Sequence, residues 1–488
     1  MKKIHPLTWL FVLALFLFFL IPPTDPDLGW HLKCGQQIWQ ALSTGGQEGW
    51  CGENHFSVLL ENYAWVNHYW LYQVGLWLIF RAAGLGGLTA LNAFLMSLAF
   101  LFLYSAIKNY TWEKMVAIGL VIFFSWGIFS FGIRSQLMGF LFFNLVLWLF
   151  SQIEKNKTAA FSLPLIMLLW AQVHGGSVVL GLILLVFWGL SLIVNRTQKL
   201  WSVLVVFGLS LGATVLNPFG LKIYQESWRH FAGINLSLLI AEWVPPIPAF
   251  WWLILISALA LSFAVLFWGG IKNWPWAVLT LAMAVLALKA RRNLVFYFSL
   301  FSFLSLSLPP AQKYLAGWLK QKNLRDNLAI LTATAFLFFG LFIRLPETLA
   351  INSSWGNYCQ NSAVIYPCRA IEFLKKQPGK GPPGGEAGVI FNRYEWGGFL
   401  IWQLPEYQIF VDGRMPAWLT PEGKSPYTIY LETLQNQPGW EETLKRYKVD
   451  WILISPGTFM DLLLAPGPEK FGWRQVYRDK IAVVYQKR

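Results

Sequence analysis

Apolar and polar positions along this chain separate into long blocks. Eleven nearly uninterrupted apolar runs approach the roughly 20 residues that cross a bilayer. They lie at about 7–22, 85–107, 115–133, 136–153, 159–173, 177–194, 200–216, 250–269, 275–289, 293–308 and 327–345. A twelfth stretch, 69–80, is only about three turns long and follows Asn67-His68, which makes it a juxtamembrane or re-entrant helix. Beyond 345 the blocks give way to short apolar strands alternating with amphipathic helices. Segments 388–391, 408–411, 449–454, 474–477 and 481–485 predict strands, and 369–376, 427–435 and 440–447 predict helices. The expected fold class is an α-helical polytopic membrane protein of about eleven spans with a C-terminal extracytoplasmic α/β domain. Its expected domains are a membrane domain over 1–345, with a first outer loop at 23–84 carrying juxtamembrane helices, and a soluble domain over 346–488.

Composition agrees with the blocks. Of 488 residues, 56% are hydrophobic and 13% charged, about half the charge of a soluble domain. The 28 Trp and 39 Phe suit spans and their interfacial belts. A net charge of +14 raises nucleic acid as a partner, but Lys and Arg punctuate apolar runs and form no basic face, so that class is excluded. The start, Lys2-Lys3 and then an apolar run, lacks a small-x-small cleavage site and predicts an uncleaved first span. With that start inside, eleven spans put Lys108, Lys114, Lys155, Lys157, Arg196, Lys199, Lys272, Lys313, Lys320, Lys322 and Arg325 in cytoplasmic loops. The expected location is the plasma (inner) membrane, multi-pass, with the N-terminus cytoplasmic and 346–488 outside.

The same layout puts all four cysteines outside. An oxidising compartment would allow Cys34 to pair with Cys51 and Cys359 with Cys368; four separate thiols are the alternative. Residues 379–385, Gly-Lys-Gly-Pro-Pro-Gly-Gly, resemble a phosphate loop but lack the GK[ST] ending, and their prolines remove amide donors. They read as a flexible loop.

The polar residues with chemical potential sit at outer edges. Thr24-Asp25-Pro26-Asp27-Leu28-Gly29-Trp30-His31 places two carboxylates directly after a span, where either could act as a general base. A helix starting near Asp27 would put His31 one turn on, on the same face; the plainer role for Asp27 is a helix N-cap. Asn67-His68, Arg134-Ser135-Gln136, His174-Gly175-Gly176, Asn217-Pro218-Phe219-Gly220, Glu242-Trp243 and Lys289 with Arg291-Arg292-Asn293 occupy further outer edges. Arg134 could instead snorkel to headgroups, His174 could serve its turn, and Arg291-Arg292 could anchor the interface. Basic residues at outer turns oppose the positive-inside bias, and binding an anionic headgroup is a physical reason for them. The cytoplasmic loops are too short to house a nucleotide-sugar domain, and no dinucleotide fingerprint precedes a helix. A carboxylate base, cationic phosphate ligands and a lipid-accessible outer site describe sugar transfer from a lipid-phosphate donor.

With those residues in view, the chain resembles the GT-C superfamily of integral-membrane glycosyltransferases, within it a bacterial group sharing DPDLGWH, NHYWL, WAQVHGG, LNPFG, EW and RRN elements. The C-terminal stretch from Phe391-Asn392-Arg393-Tyr394-Glu395-Trp396-Gly397-Gly398 to Val411-Asp412-Gly413-Arg414 shares in the likeness. The resemblance covers nearly the whole chain and implies a GT-C-like fold and a polyprenyl-phosphate sugar donor. It implies an extracytoplasmic acceptor (glycan, lipid or protein) and Asp27 as base with Asp25 as understudy. Phosphate and substrate contacts would come from His31, His68, Arg134, Gln136, His174, Glu242, Arg291 and Arg292. Two departures stand out: the outer turn that often carries a second acidic residue is Arg134-Ser135-Gln136, and His68 is followed by Tyr69 where the family has two prolines. Asp25 and Asp27 could share a divalent metal, Mg or Mn. One in-line displacement would invert the anomeric centre. Other classes are a non-catalytic scaffold for envelope-glycan assembly and a lipid or polysaccharide transporter, the latter disfavoured by span interiors nearly free of charge.

Overall fold

A computed structural model describes residues 6–45, 50–108, 111–153, 156–230, 237, 240–308, 322–360, 365–376 and 388–488. Lys2-Lys3, Lys155, Lys313, Lys320 and the 379–385 loop lie outside them. The chain divides into two compact units. A helical unit comprises Met1–Pro23, Gly86–Trp228 and Asn235–Leu349, and a mixed unit comprises Thr24–Leu85, Arg229–Ile234 and Ala350–Arg488.

Among the described residues, seven helices are long and apolar enough to cross a membrane, which corrects the expected eleven. The 85–107 run shares Trp70–Ala106 with the short 69–80 segment, the two stretches parted by non-helical backbone at Gly84 (φ 58°, ψ −152°). One pair of runs is fused. Runs 159–173 and 177–194 fall in a single 38-residue apolar stretch, Lys157–Val194, tightened to a 3₁₀ turn at Gly175–Ser177. Others are too short. Run 7–22 yields a helix of only 13 residues, Pro6–Phe18, about 20 Å against the roughly 30 Å of hydrocarbon. Its continuation meets Pro22-Pro23, and the residue before a proline is pushed out of the helical region. Leu200–Val215 has 16 residues and stops ahead of Asn217-Pro218, and Leu294–Ser305 has 12. The seven are Trp70–Ala106, Thr111–Phe129, Ser135–Ile153, Lys157–Val194, Pro248–Gly269, Ile271–Lys289 and Leu324–Ser353. Ser135–Ile153 is the most enclosed, 78% of its apolar window being buried, so it runs through the centre of its unit.

The mixed unit is built on one five-stranded sheet. Its strands are β1 (Val389–Asn392), β2 (Gln408–Ile409), β3 (Val449–Ile454), β4 (Trp473–Arg478) and β5 (Val483–Lys487), in the order β2-β1-β3-β5-β4. β2, β1 and β3 are parallel, and β5 is antiparallel to β3 and β4. β1 is buried at every position, as expected of a parallel strand covered on both faces. β4 is the exposed margin and carries Arg474 and Arg478, charges that discourage pairing with another chain. Helix Cys368–Lys375 leads into β1, and helices Gly397–Gln403, Pro426–Leu434, Trp440–Arg446 and Phe459–Leu464 connect the strands.

The first loop belongs to this unit. Phe56–Val58 runs along the far side of β2, with Val58 N donating to Ile409 O (2.9 Å) and Ile409 N to Phe56 O (3.0 Å). Helix Leu28–Thr44 packs on helix Gly397–Gln403, where any side chain at Gly29 would strike the Gly398 carbonyl. Two disulfides, Cys34–Cys51 and Cys359–Cys368, lie in the same unit, with Cα–Cα separations of 5.5 and 6.0 Å.

Candidate functional site

The singled-out residues fall into two groups, one in each unit. In the mixed unit the chain turns through Asp25 and Asp27 into helix Leu28–Thr44. Asp27 stands at the N-cap position, but its carboxylate makes no capping bond. It accepts instead from the Trp30 indole Nε1 at 3.0 Å, and it lies against Gly413, where a β-carbon would collide with it. Asp25 is buried, its Oδ1 accepting from Asp27 N at 3.4 Å. Two tyrosines report on these carboxylates. Burial first, then Tyr358, Asp25 and Asp27, push the Tyr366 phenol well above its usual value, and its hydroxyl donates to the Asp25 carbonyl at 3.4 Å. Burial, then Asp27, Tyr427 and Asp412, do the same to Tyr394. Both phenols therefore stay protonated beside the acids.

His31 follows one helical turn later, its N–H donating to the Asp27 carbonyl (3.2 Å). Its ring is buried, lies 3.7 Å from Trp30, and meets Tyr69 and Tyr72 edge-on at 5.3 and 5.2 Å. Asn67 Nδ2 donates to Gln73 Oε1 (2.8 Å), which turns the Gln73 amide so that its Nε2 donates to His31 Nδ1 (3.2 Å). Nδ1 is thus an acceptor, and a neutral His31 carries its proton on Nε2. His68 has the opposite tautomer: Nδ1 faces the Val66 carbonyl at 3.2 Å, which can only accept. Its ring lies 3.9 Å from Tyr69, so Tyr69 touches both histidines.

Beneath this group is a buried ion pair that carries the Asp412-Gly413-Arg414 turn. Arg414 Nε and Nη2 donate to Asp412 at 2.8 and 2.7 Å, Ser57 Oγ donates to Asp412 Oδ2 at 2.6 Å, and Arg414 Nη2 reaches Asn54 Oδ1 at 3.0 Å. Phe56, Trp65 and Trp418 pack around the guanidinium at 5.0 to 5.7 Å. Burial opposes ionisation of Asp412, but Arg414 and the bonds from Ser57 and the Arg414 amide outweigh it and hold the carboxyl below its ordinary range. The Asp-x-Arg spacing lets the two side chains meet locally; the contribution of Asn54 and Ser57, more than 350 positions earlier, has no local signal.

The helical unit gathers the second group. Arg134, buried at the start of helix Ser135–Ile153, forms an ion pair with Glu242 and lies over the Phe131 ring at 5.0 Å. Arg291 N donates to the Val244 carbonyl (3.0 Å), joining its turn to the 241–244 segment, and Arg292 covers the Trp243 ring at 4.7 Å. Burial disfavours the Glu242 carboxylate, but Arg134, Arg292 and Arg291 together hold it below its ordinary range. Arg134 thus binds this acid directly, and Arg292 and Arg291 act on it through space. Gln136 Oε1 is buried with no hydrogen-bond partner among the described residues. His174, buried and within electrostatic reach of Arg292, accepts from Ser177 N at 3.1 Å and so shapes the 3₁₀ turn.

Among the described residues no three His, Cys, Asp or Glu side chains converge to cage a metal. The adjacent Asp25 and Asp27 supply two carboxylates. Mg²⁺ commonly takes one or two, with phosphate oxygens and water completing its shell. The donor set fits a metal arriving with a phosphate better than a resident one.

No family model matches the chain, nor does any curated protein sequence. Solved structures do. The apo oligosaccharyltransferase of Archaeoglobus fulgidus superimposes with a TM-score of 0.52 at 12% identity, over 100% of this chain and 75% of that one. The same archaeal enzyme, AglB, in complex with an inhibitory peptide and a dolichol-phosphate gives 0.50 at 11%, over 92% and 69%. Apo ArnT from Cupriavidus metallidurans gives 0.50 at 14%, over 98% and 97%. Identities this low speak for the fold. The chain thus shares the fold of these two enzymes.

Proposed function

We propose that the chain is a glycosyltransferase that moves a sugar from a polyprenyl-phosphate-linked donor to an extracytoplasmic glycan, lipid or protein, with inversion. The observation that carries this reading is the guanidinium group on a GT-C-like fold: Arg134 paired with Glu242, and Arg291 and Arg292 within electrostatic reach of the same acid. Guanidiniums at one end of the helical unit suit a phosphate through charge-assisted hydrogen bonds. A structurally similar enzyme, AglB, has been solved with a dolichol-phosphate. In this reading Asp27 accepts the proton of the acceptor hydroxyl as that oxygen forms its bond to the anomeric carbon. The bond from that carbon to the phosphate oxygen breaks, and the lipid phosphate departs with the electron pair. Asp25, accepting from the Asp27 amide, and the Trp30 indole hold Asp27 in its place. The two disulfides of the mixed unit support an oxidising, outer location for it, with the N-terminus cytoplasmic.

The test is transfer in proteoliposomes from a panel of labelled polyprenyl-phosphate sugars. Asp27→Asn should lose about 10²- to 10⁴-fold in rate. Arg134→Gln and Arg292→Gln should weaken donor binding. Transfer at the wild-type rate by Asp27→Asn removes the base from the scheme. A non-catalytic scaffold has one observation in its favour: Asp25 is buried and Asp27 is already bonded to Trp30 within its own unit. That reading expects no turnover of any lipid-linked sugar by the wild-type chain.

A further inference from the structure

The end of the helical unit opposite the His174 turn has a feature that sugar transfer does not use. There the 3₁₀ turn Lys157–Ser162, the C-terminus of helix Val178–Val194 and the N-terminus of helix Leu200–Val215 surround a cavity of about 160 Å³. Its depth is apolar, walled by Trp188, Leu192, Val203 and Val206. Trp188 is fixed by a near-parallel stack on Phe150, 4.7 Å apart with 4° between the planes. Pockets that enclose a whole small molecule are about 300–1,000 Å³, so this one holds part of a chain.

The mouth differs from the depth. Lys157 and Gln198 line it, and Lys157 Nζ donates to the Thr197 carbonyl across it at 3.4 Å. Arg196 and Lys199 belong to the same turn as Gln198, and no Asp or Glu occurs anywhere from 155 to 225. The positive charge at this mouth therefore has no acid on its own elements. Arg196 is held at φ 53°, a left-handed conformation that a bulky residue adopts only when the turn imposes it.

An apolar slot beneath clustered basic residues, at the ends of membrane helices, has the chemistry of one ligand class. The geometry points to a binding site for an anionic phospholipid, with part of an acyl chain between Trp188 and Val206 and the phosphate at Lys157 and the 195–199 turn. Apolar burial supplies affinity and the basic mouth supplies selection by headgroup charge. This site is independent of the sugar-transfer reading.

Native mass spectrometry of the full-length protein in neutral detergent, titrated with phosphatidylglycerol or phosphatidylcholine, tests it. Phosphatidylglycerol should remain bound and phosphatidylcholine should not. Lys157→Gln and Lys199→Gln should each weaken binding about fivefold, and Val206→Trp should abolish it by filling the slot. If Val206→Trp does not fold, Gln198→Trp in the partly exposed turn should block the mouth. Equal retention of both lipids, wild-type binding by Gln198→Trp, or stronger competition by a polyprenyl phosphate than by phosphatidylglycerol overturns the assignment.

Discussion

Asp412 and Arg414 show what two charges need when both are taken out of water. Each is almost fully buried, and the pair is completed by Ser57, Asn54 and three aromatic rings. Removing one member leaves the other charged and unpaired. Arg414→Ala should therefore destabilise the protein by about 3–5 kcal/mol, read as a fall in Tm of the purified full-length chain. The pH dependence has a defined sign. Asp412 is held below its ordinary range in the folded state, so its contribution is complete above the unfolded value of about 3.9 and disappears as pH falls through the lower folded value. Acid melts of wild type should steepen there, and those of Asp412→Asn should lack that component. The type and spacing of Asp25, Asp27, His31 and His68 marked them as chemical residues in the sequence. Their bonds were not legible: Asp27 reads equally well as an N-cap, and only coordinates turn its carboxylate to Trp30.

At the scale of elements, short apolar segments bounded by Gly, Pro and charge located all five strands to within a few residues, because such segments have few other ways to hide. Helix Gly397–Gln403 was missed. It opens on two glycines, poor helix formers chosen here for close approach, not propensity. A side chain at Gly398 would meet the Pro26 carbonyl and the Trp30 ring. Gly398→Val should cost about 1–3 kcal/mol or more through overpacking, while Gly208→Ala, which meets nothing within 4 Å, should be neutral or slightly stabilising. Paired thermal melts check both. The Cys34–Cys51 bridge spans a sequence separation of 17 and should contribute about 3 kcal/mol, lost in the double serine variant. Maleimide labelling of the unfolded, unreduced chain should find no thiols until reductant is added. Labelling of all four cysteines before reduction would place the mixed unit in a reducing compartment.

On the scale of the whole molecule, hydrophobic blocks established that this chain lives in a membrane and that its C-terminal part does not. Burial of apolar groups needs only composition and contiguity, both written in one dimension. The number of long membrane helices was beyond that reach. Helix length depends on where prolines stop a run and where a turn such as Gly175–Ser177 lets two runs continue as one, so eleven blocks became seven long helices among the described residues. Membership of the units was likewise decided in three dimensions. Residues 24–85 lie next to the first apolar run in the chain, yet they fold with 350–488, because Phe56–Val58 completes the hydrogen bonding beside β2 and Gly29 admits the Gly398 backbone. The grouping of Arg134 with Glu242 and Arg292 with Trp243 arose the same way. The sequence determined which residues carry charge and which segments avoid water; the tertiary structure decided which charges meet, since attraction between groups a hundred positions apart depends on distances that no local pattern records.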